Sequence, residues 1–477
     1  MIKKHSENFK NPLILFFVYL CIHAILRVYL SDTYQLDDAE QIIRGQHFSL
    51  GYPTPQPPLY TWISWASFKI FGASLATLTL IKYSLIFITF IFIWKTGSLI
   101  FDQRKTNYLN FSAYLLMPSF AWHMHQGFTN TILLGLGISM TFYYLIKIMQ
   151  DSELNNYIFL GLSMAIGILG KYSFLIFVLL AFFSVIAISE LRGKIQKKQL
   201  LVTLIVFVIL ISPHLTWLID NFDLILGQID KKLSISNSSI IMAKLLSLKD
   251  LFLALVGFIT PLIFSILFFM NHIEKRDFSP HDIGYIFLQS FYKFFSLSLI
   301  VLIIFYSMPH FKVRWLHPIM MIFPFFIFVI IDKKYNFSDI ASKRFIKSVI
   351  IFSLVILSIR IAQLTIGPEI GFYGRINRPI IESVKKINPS VFNNAAIKTD
   401  DHFLGTHLLS HFNQNQILIK DKIYRQHFDS SSCVILWDND TNQKPPEIPH
   451  GSKVNSVSVT KGKITYELKF ILQTNKC

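Results

Sequence analysis

The sequence predicts a mainly α, polytopic membrane protein of about eleven transmembrane helices, with interfacial helices in its first outer loop and a small C-terminal α/β extracytoplasmic domain. Three observations predict it. Hydrophobic residues make up 52% of the chain and include 46 Phe, and mean hydropathy is +0.48, both beyond what a soluble domain carries. Apolar runs of roughly 17 to 25 residues, long enough to cross a bilayer, recur through the first three quarters. Only the last hundred or so residues lose that texture.

The basic N-terminus is followed by an apolar run at 13–30 that lacks a small-residue cleavage site, so this run reads as a retained first span. Further spans are expected at 75–94, 108–122, 131–148, 157–169, 172–188, 200–218, 251–270, 285–305, 315–331 and 346–364. Alternating them from a cytoplasmic start places Lys3, Lys4, Lys10, Arg104, Lys105, Lys147, Arg192, Lys194, Lys197, Lys198, Lys275, Arg276, Lys333, Lys334, Lys343 and Arg344 inside. Fewer cations, chiefly Arg44, Lys69, Lys171, Lys231, Lys232, Lys244, Lys312 and Arg314, fall outside. The bias follows the positive-inside rule and puts residues 31–74, 221–250 and the whole C-terminal tail on the outer face. The formal net charge of +17 is thus topological. The cations form no aromatic-interleaved groove, and nucleic acid is not an expected partner.

The first outer loop has a pattern of its own. Residues 39–48 and 59–71 carry apolar and aromatic side chains at helical spacing, joined by a Pro-rich turn at 51–58, which suits two interfacial helices covering a cavity. The segment 221–250 reads as another partly amphipathic cover. Beyond the last span, 370–388 reads as a linker and helix. Strands are expected at 395–398, 416–419, 433–436, 453–459 and 464–471, with a helix at 406–412. The expected division is therefore a transmembrane catalytic domain at 1–366 and a small soluble periplasmic domain at 367–477. Of the three cysteines, Cys21 lies in an apolar run; Cys433 and Cys477 read as lone thiols, a disulfide being the alternative in an oxidising compartment.

Acidic residues beside a membrane exit are costly unless they do chemistry, bind a cation or sit in water. Asp37, Asp38 and Glu40 fall in the first turns of an interfacial helix, where an Asp can stay ionised. A carboxylate that takes a proton from an acceptor hydroxyl while a sugar leaves a lipid phosphate is the minimum machinery of an inverting glycosyl transfer. The same spacing describes a helix N-terminus with solvated acids. Phosphate needs cations, and Lys82, Lys171 and Arg314 lie near outer span ends; Lys82 also reads as a snorkelling interfacial lysine. His123 and His125 have the spacing of two metal ligands or of a polar interfacial cluster. Asn130 suits either a substrate hydrogen bond or a helix cap. His214, Trp217 and Asn221 suit either a sugar-facing wall or an interfacial belt. No cofactor is fixed; a divalent metal bridging Asp37 and a phosphate is not required by the pattern.

These residues carry a resemblance. Leu36-Asp37-Asp38-Ala39-Glu40-Gln41 followed by Gln56-Pro57-Pro58-Leu59-Tyr60 resembles the first periplasmic loop of bacterial family 39 glycosyltransferases of the GT-C superfamily. That group is related to dolichyl-phosphate-mannose protein mannosyltransferases and to lipid A aminoarabinose transferases. Gly170-Lys171-Tyr172-Ser173, Ser212-Pro213-His214-Leu215-Thr216-Trp217 with Asn221-Phe222, and Val313-Arg314-Trp315-Leu316-His317-Pro318 are similar to later stretches of the family. The resemblance implies an enzyme of the bacterial inner membrane. It would move a sugar from a polyprenyl-phosphate donor, with inversion, to a glycolipid, polysaccharide or protein acceptor on the periplasmic face. It puts the general base on Asp37. The residue pattern itself gives Asp37, Asp38 and Glu40 as the catalytic group, Lys171, Arg314 and Lys82 at the donor phosphate, and Gln56, Tyr60, Asn130, His214, Asn221 and Trp315 around the substrate cavity. Two departures stand out: Asp38 where Glu is usual, and Asn130 where an Asp is common. The rival readings are a flippase or transporter of a lipid-linked saccharide, for which repeat symmetry is expected but not visible, and an inactive scaffold binding a partner.

Overall fold

The computed structural model describes residues 11–223, 240–269, 273–275, 282–305, 313–371, 374–412, 415–420, 422–425, 432–438, 452–473 and 477. The expected cover residues Leu224, Ile225, Ile229, Leu233 and Ile235 lie outside them, as does Lys312. Among the described residues, eight helices are long and apolar enough to cross a membrane, and Leu154–Gly170 and Phe174–Ala187 are shorter apolar helices. Contacts group the chain into two compact units. The first comprises Met1–Leu20, Ser49–Tyr60 and Tyr83–Ile356; the second comprises Cys21–Phe48, Thr61–Lys82 and Leu357–Cys477. Residues after 366 therefore share a unit with part of the first outer loop.

In the first unit, small residues let helix backbones meet where lipid offers no hydrophobic drive. A Cβ on Gly137 would lie 2.3 Å from the Gly167 Cα, so helices Thr129–Gln150 and Leu154–Gly170 touch backbone to backbone. Gly161 in turn packs on the Thr203 carbonyl of helix Lys197–Asp220. The many Phe residues fill the remaining interior with edge and stacked pairs, such as Phe142 against Phe287 and Phe325. Leu201, Leu204, Ile205, Val208 and Ile209 stay exposed along helix Lys197–Asp220, as a lipid-facing stripe does. On the basic side, Lys333 pairs with Asp102 at 2.9 Å and with Asp282 at 3.1 Å. A short antiparallel pair, β1 (Ile273–Lys275) with β2 (Tyr335–Phe337), lies on that side too.

The expected span at 108–122 is not one helix. Helix Arg104–Ala113 passes into a 3-10 turn Tyr114–Leu116, a short helix Pro118–Ala121 and a second 3-10 turn His123–His125. Pro118 explains the break: it removes an N–H and drives Met117 into the extended region, with φ −99° and ψ 113°.

Helix Leu59–Phe71 forms where the spacing predicts it, whereas the helix expected at 39–48 runs over Leu36–Arg44, three residues earlier at its start and four at its end, stopping at Gly45. The tail folds as a six-stranded mixed sheet of β3 (Ala395–Thr399), β4 (Ile417–Ile419), β5 (Lys422–Arg425), β6 (Ser432–Asp438), β7 (Asn455–Lys461) and β8 (Ile464–Gln473), in the order β5-β4-β3-β6-β8-β7. The parallel pairs β3 with β4 and β3 with β6 sit at its centre, and antiparallel hairpins sit at its edges. Helix His402–His411 carries the chain from β3 to β4, and Asp401 caps it by accepting from the Phe403 and Leu404 amides. Cys433 and Cys477, expected as lone thiols, are joined in a disulfide that fastens the chain end to β6, with Cα atoms 5.0 Å apart.

Helix His402–His411 also seats helix Leu36–Arg44. The Thr406 hydroxyl donates to the Ala39 carbonyl at 3.1 Å. The buried His407 donates from Nδ1 to the Phe403 carbonyl at 2.8 Å, and its Nε2 accepts from the Tyr34 N–H at 3.2 Å. Burial holds the ring neutral by pushing its pKa down to about 4. An unfolded His titrates near 6.5, so the unfolded chain binds the extra proton first. Stability from this group is present above that pH and is lost as pH falls towards 4. In thermal unfolding between pH 7 and 4.5, His407→Gln should start less stable and show a shallower acid loss than the wild type, the difference approaching about 1.4 kcal/mol per pH unit.

Candidate functional site

The Pro-rich stretch of the first outer loop is held in the first unit by Asn130 and by two of the resembling motifs, those at 170–173 and 212–217. Asn130 stands in the first turn of helix Thr129–Gln150 and donates from Nδ2 to the carbonyls of Pro57 at 3.3 Å and Gly170 at 3.0 Å. Gly170 ends its helix against Leu133, where a Cβ would approach to 2.8 Å. The following Lys171 is half-buried and donates from Nζ to the Thr131 hydroxyl at 2.8 Å. Tyr172 donates its hydroxyl to His214 Nε2 at 2.8 Å, and His214 donates from Nδ1 to the Leu50 carbonyl at 3.0 Å. The carbonyl thereby selects the tautomer. Trp217 stacks beside His214 and covers Gly51, where a Cβ would lie 2.1 Å from the indole ring. Only glycine fits there.

His214 and Asn221 act here in ways the sugar-wall expectation does not describe. His214 grips the loop, and Asn221 donates from Nδ2 to the Trp217 carbonyl at 2.9 Å, closing its own helix. Gln56 is half-exposed, whereas Tyr60 is fully buried at the head of helix Leu59–Phe71. Arg314 is exposed and Trp315 half-buried in the 3-10 turn Val313–Leu316, ahead of a buried His317 ringed by Phe120, Phe128 and Phe258. His125 has both ring nitrogens engaged, by the Tyr19 hydroxyl at 3.0 Å and the Tyr83 hydroxyl at 3.1 Å, which makes it part of a polar cluster. Among the described residues no group of His, Cys, Asp and Glu has the arrangement of a metal site.

In the second unit the acids are sorted by environment. Asp38 is buried and pairs through Oδ1 with Lys82 Nζ at 3.0 Å, with Arg27 Nη2 4.0 Å from Oδ2. Arg27 donates to the Thr33 carbonyl at 2.8 Å, which aims its guanidinium. Glu40 pairs with Arg44 one turn along at 2.9 Å on the surface. Asp37 lies half-exposed on the first turn of helix Leu36–Arg44, where the amide dipoles favour an ionised carboxylate. Lys82, expected at a donor phosphate, is thus engaged with the neighbour of the expected base. Gln41 accepts from the Thr61 hydroxyl at 2.8 Å and ties this helix to Leu59–Phe71. Arg360 is fully buried in the last span and donates to Gln363 at 2.8 Å. An arginine inside a span is itself a signal of function or pairing, and it was there to be read.

Known proteins resemble the chain. Residues 55–217, from the Pro-rich turn to the indole over Gly51, match the family model described as dolichyl-phosphate-mannose-protein mannosyltransferase. Lipopolysaccharide core galacturonosyltransferase RgtB of Rhizobium johnstonii is 26% identical over 393 residues, covering 82% of this chain and 79% of that protein. RgtA of the same organism, also named as a lipopolysaccharide core galacturonosyltransferase, is 26% identical over 46% of this chain and 44% of its own length. The crystal structure of ArnT from Cupriavidus metallidurans bound to undecaprenyl phosphate shares the fold with a TM-score of 0.62 at 11% identity, over 96% of this chain and 98% of that one. Its apo form aligns with a TM-score of 0.60.

Two outcomes test the geometry. Asn130→Asp sets carboxylate oxygens against two carbonyls, so it should cost about 1–3 kcal/mol and speed amide exchange at 49–56, whereas the natural amide satisfies both. Asp38→Asn leaves the Lys82 and Arg27 cations buried together without a carboxylate and should destabilise by about 3–5 kcal/mol. Thermal unfolding of the purified variants measures both.

Proposed function

We propose that this chain, a multi-pass membrane glycosyltransferase of the GT-C type, moves a sugar from a polyprenyl-phosphate donor to an acceptor on the periplasmic face of the inner membrane, with inversion. The proposal includes the division into a transmembrane catalytic part at 1–366 and a periplasmic part at 367–477. An undecaprenyl-phosphate-bound protein of the same fold supports the donor class. The names of RgtB and RgtA support a hexuronic acid as the sugar and the lipopolysaccharide core as the acceptor. A disulfide between Cys433 and Cys477 supports an oxidising compartment for the tail.

The observation that carries the mechanism is the sorting of the acids. Asp38 is committed to Lys82 in a buried pair and Glu40 to Arg44, while Asp37 keeps part of its surface exposed at a helix N-terminus. Asp37 is the general base: it takes the proton of the acceptor hydroxyl as that oxygen attacks the anomeric carbon. The bond from the anomeric carbon to the phosphate oxygen breaks, and the electron pair leaves with the polyprenyl phosphate. Lys171 and Arg314 are assigned to the charge that develops there, where fixed cations contribute more than in water. Lys82, through Asp38, keeps the base-bearing helix in register. Asn130 and His214 act indirectly, by fixing the loop that contains Gln56, and Asn221 closes the helix that carries Trp217.

Membranes carrying the wild type or Asp37→Asn, supplied with a labelled polyprenyl-phosphate sugar, test this reading. Sugar release should fall by about 10²- to 10⁴-fold in the variant with donor binding retained. Equal turnover by the two removes Asp37 from the mechanism. Transbilayer movement of the intact donor without cleavage replaces the transferase with a flippase.

A further inference from the structure

Away from every residue assigned above, one groove in the first unit combines a basic rim with an aliphatic floor. Its volume is about 590 Å³, and it lies between helices Arg104–Ala113 and Asp339–Thr365. Lys105, Lys343 and Lys347 stand on the rim against a single carboxylate, Asp339, which Lys105 holds at 2.6 Å. Leu109, Ile346, Ile350 and Ile351 form the floor. Ile350 and Ile351 are 54% and 52% exposed.

The order of these side chains along the helix identifies the ligand. Positions 343, 346, 347 and 350 recur every three or four residues and so share one face. At about 1.5 Å per residue, that face runs from ammonium groups to bare aliphatic surface within about 12 Å. A glycerophospholipid makes the same passage from phosphate to acyl chain. The charge bias among the spans assigns this end to the inner leaflet, where anionic lipids collect.

We propose that the groove is a binding site for an anionic glycerophospholipid of the inner leaflet. Lys343 and Lys347 take its phosphate, and Ile346, Ile350 and Ile351 take the start of one acyl chain. The lipid occupies a seam between a broken helix and helix Asp339–Thr365, and it is neither donor nor acceptor of the transferred sugar.

Native mass spectrometry of the full-length, detergent-purified chain, titrated with phosphatidylglycerol or phosphatidylcholine, tests the site. Phosphatidylglycerol should be retained in preference to phosphatidylcholine. Lys343→Gln with Lys347→Gln should weaken its binding about twenty- to thirtyfold, at about fivefold per lysine. Lys197→Gln with Lys198→Gln, a pair outside the groove and on the same side by the charge bias, should leave binding unchanged. Ile351→Trp fills the floor without touching charge and should weaken binding as well; it decides the matter if the double lysine variant fails to fold. Equal retention of the two lipids, or wild-type phosphatidylglycerol binding by both groove variants, overturns the proposal. An equal loss in the Lys197 and Lys198 control reduces the effect to unspecific surface charge and overturns it too.

Discussion

A stretch with four prolines in eight residues, Gly51-Tyr52-Pro53-Thr54-Pro55-Gln56-Pro57-Pro58, cannot hold itself in place by backbone hydrogen bonding. Its carbonyls have few local amides to meet, so side chains from other parts of the chain must meet them. Asn130 supplies one donor and His214 another, while Trp217 presses on Gly51. Residues far apart in the sequence thus serve one constraint, the placement of a loop that has no regular structure of its own. The presence of Asn at 130 follows from the same demand, since an amide has two N–H donors and a carboxylate has none.

The second unit answers a different electrostatic problem. A helix with three acids in its first five residues invites repulsion unless each is given its own surroundings. Asp38 is neutralised in the interior by Lys82, Glu40 is paired at the surface with Arg44, and Asp37 stays partly in contact with solvent at the helix start. The tail domain contributes through helix His402–His411, whose Thr406 and neutral His407 bond the backbone at Ala39 and Tyr34. It is a buttress for the first outer loop as well as a sheet in its own right.

Much of this was legible in the sequence because the signals were local. Helix Leu59–Phe71 and strand β8 stand where apolar spacing of 3.6 and of 2 places them. Hydropathy reads 108–122 as one span because it does not register Pro118, which ends a helix inside an apolar run. Strand β5, Lys422–Arg425, was missed because it is a short, polar edge strand without alternation. The roles of His214 and Asn130 depend on carbonyls 164 and 73 residues away, and no periodicity reports such pairings. The cysteine pair is silent for the same reason: the two thiols lie 44 positions apart, and no periodicity joins them.

The backbone contact between Gly137 and Gly167 bears on how the molecule is built. The two helices that meet there are separated by three residues, Asp151 to Glu153, so their interface closes a very short stretch of chain. This hairpin needs nothing synthesised later in order to form. It can leave the insertion machinery as a finished pair, a rigid seed on which helix Lys197–Asp220, which follows helix Phe174–Ala187 in the chain and sets its Thr203 carbonyl against Gly161, is laid down.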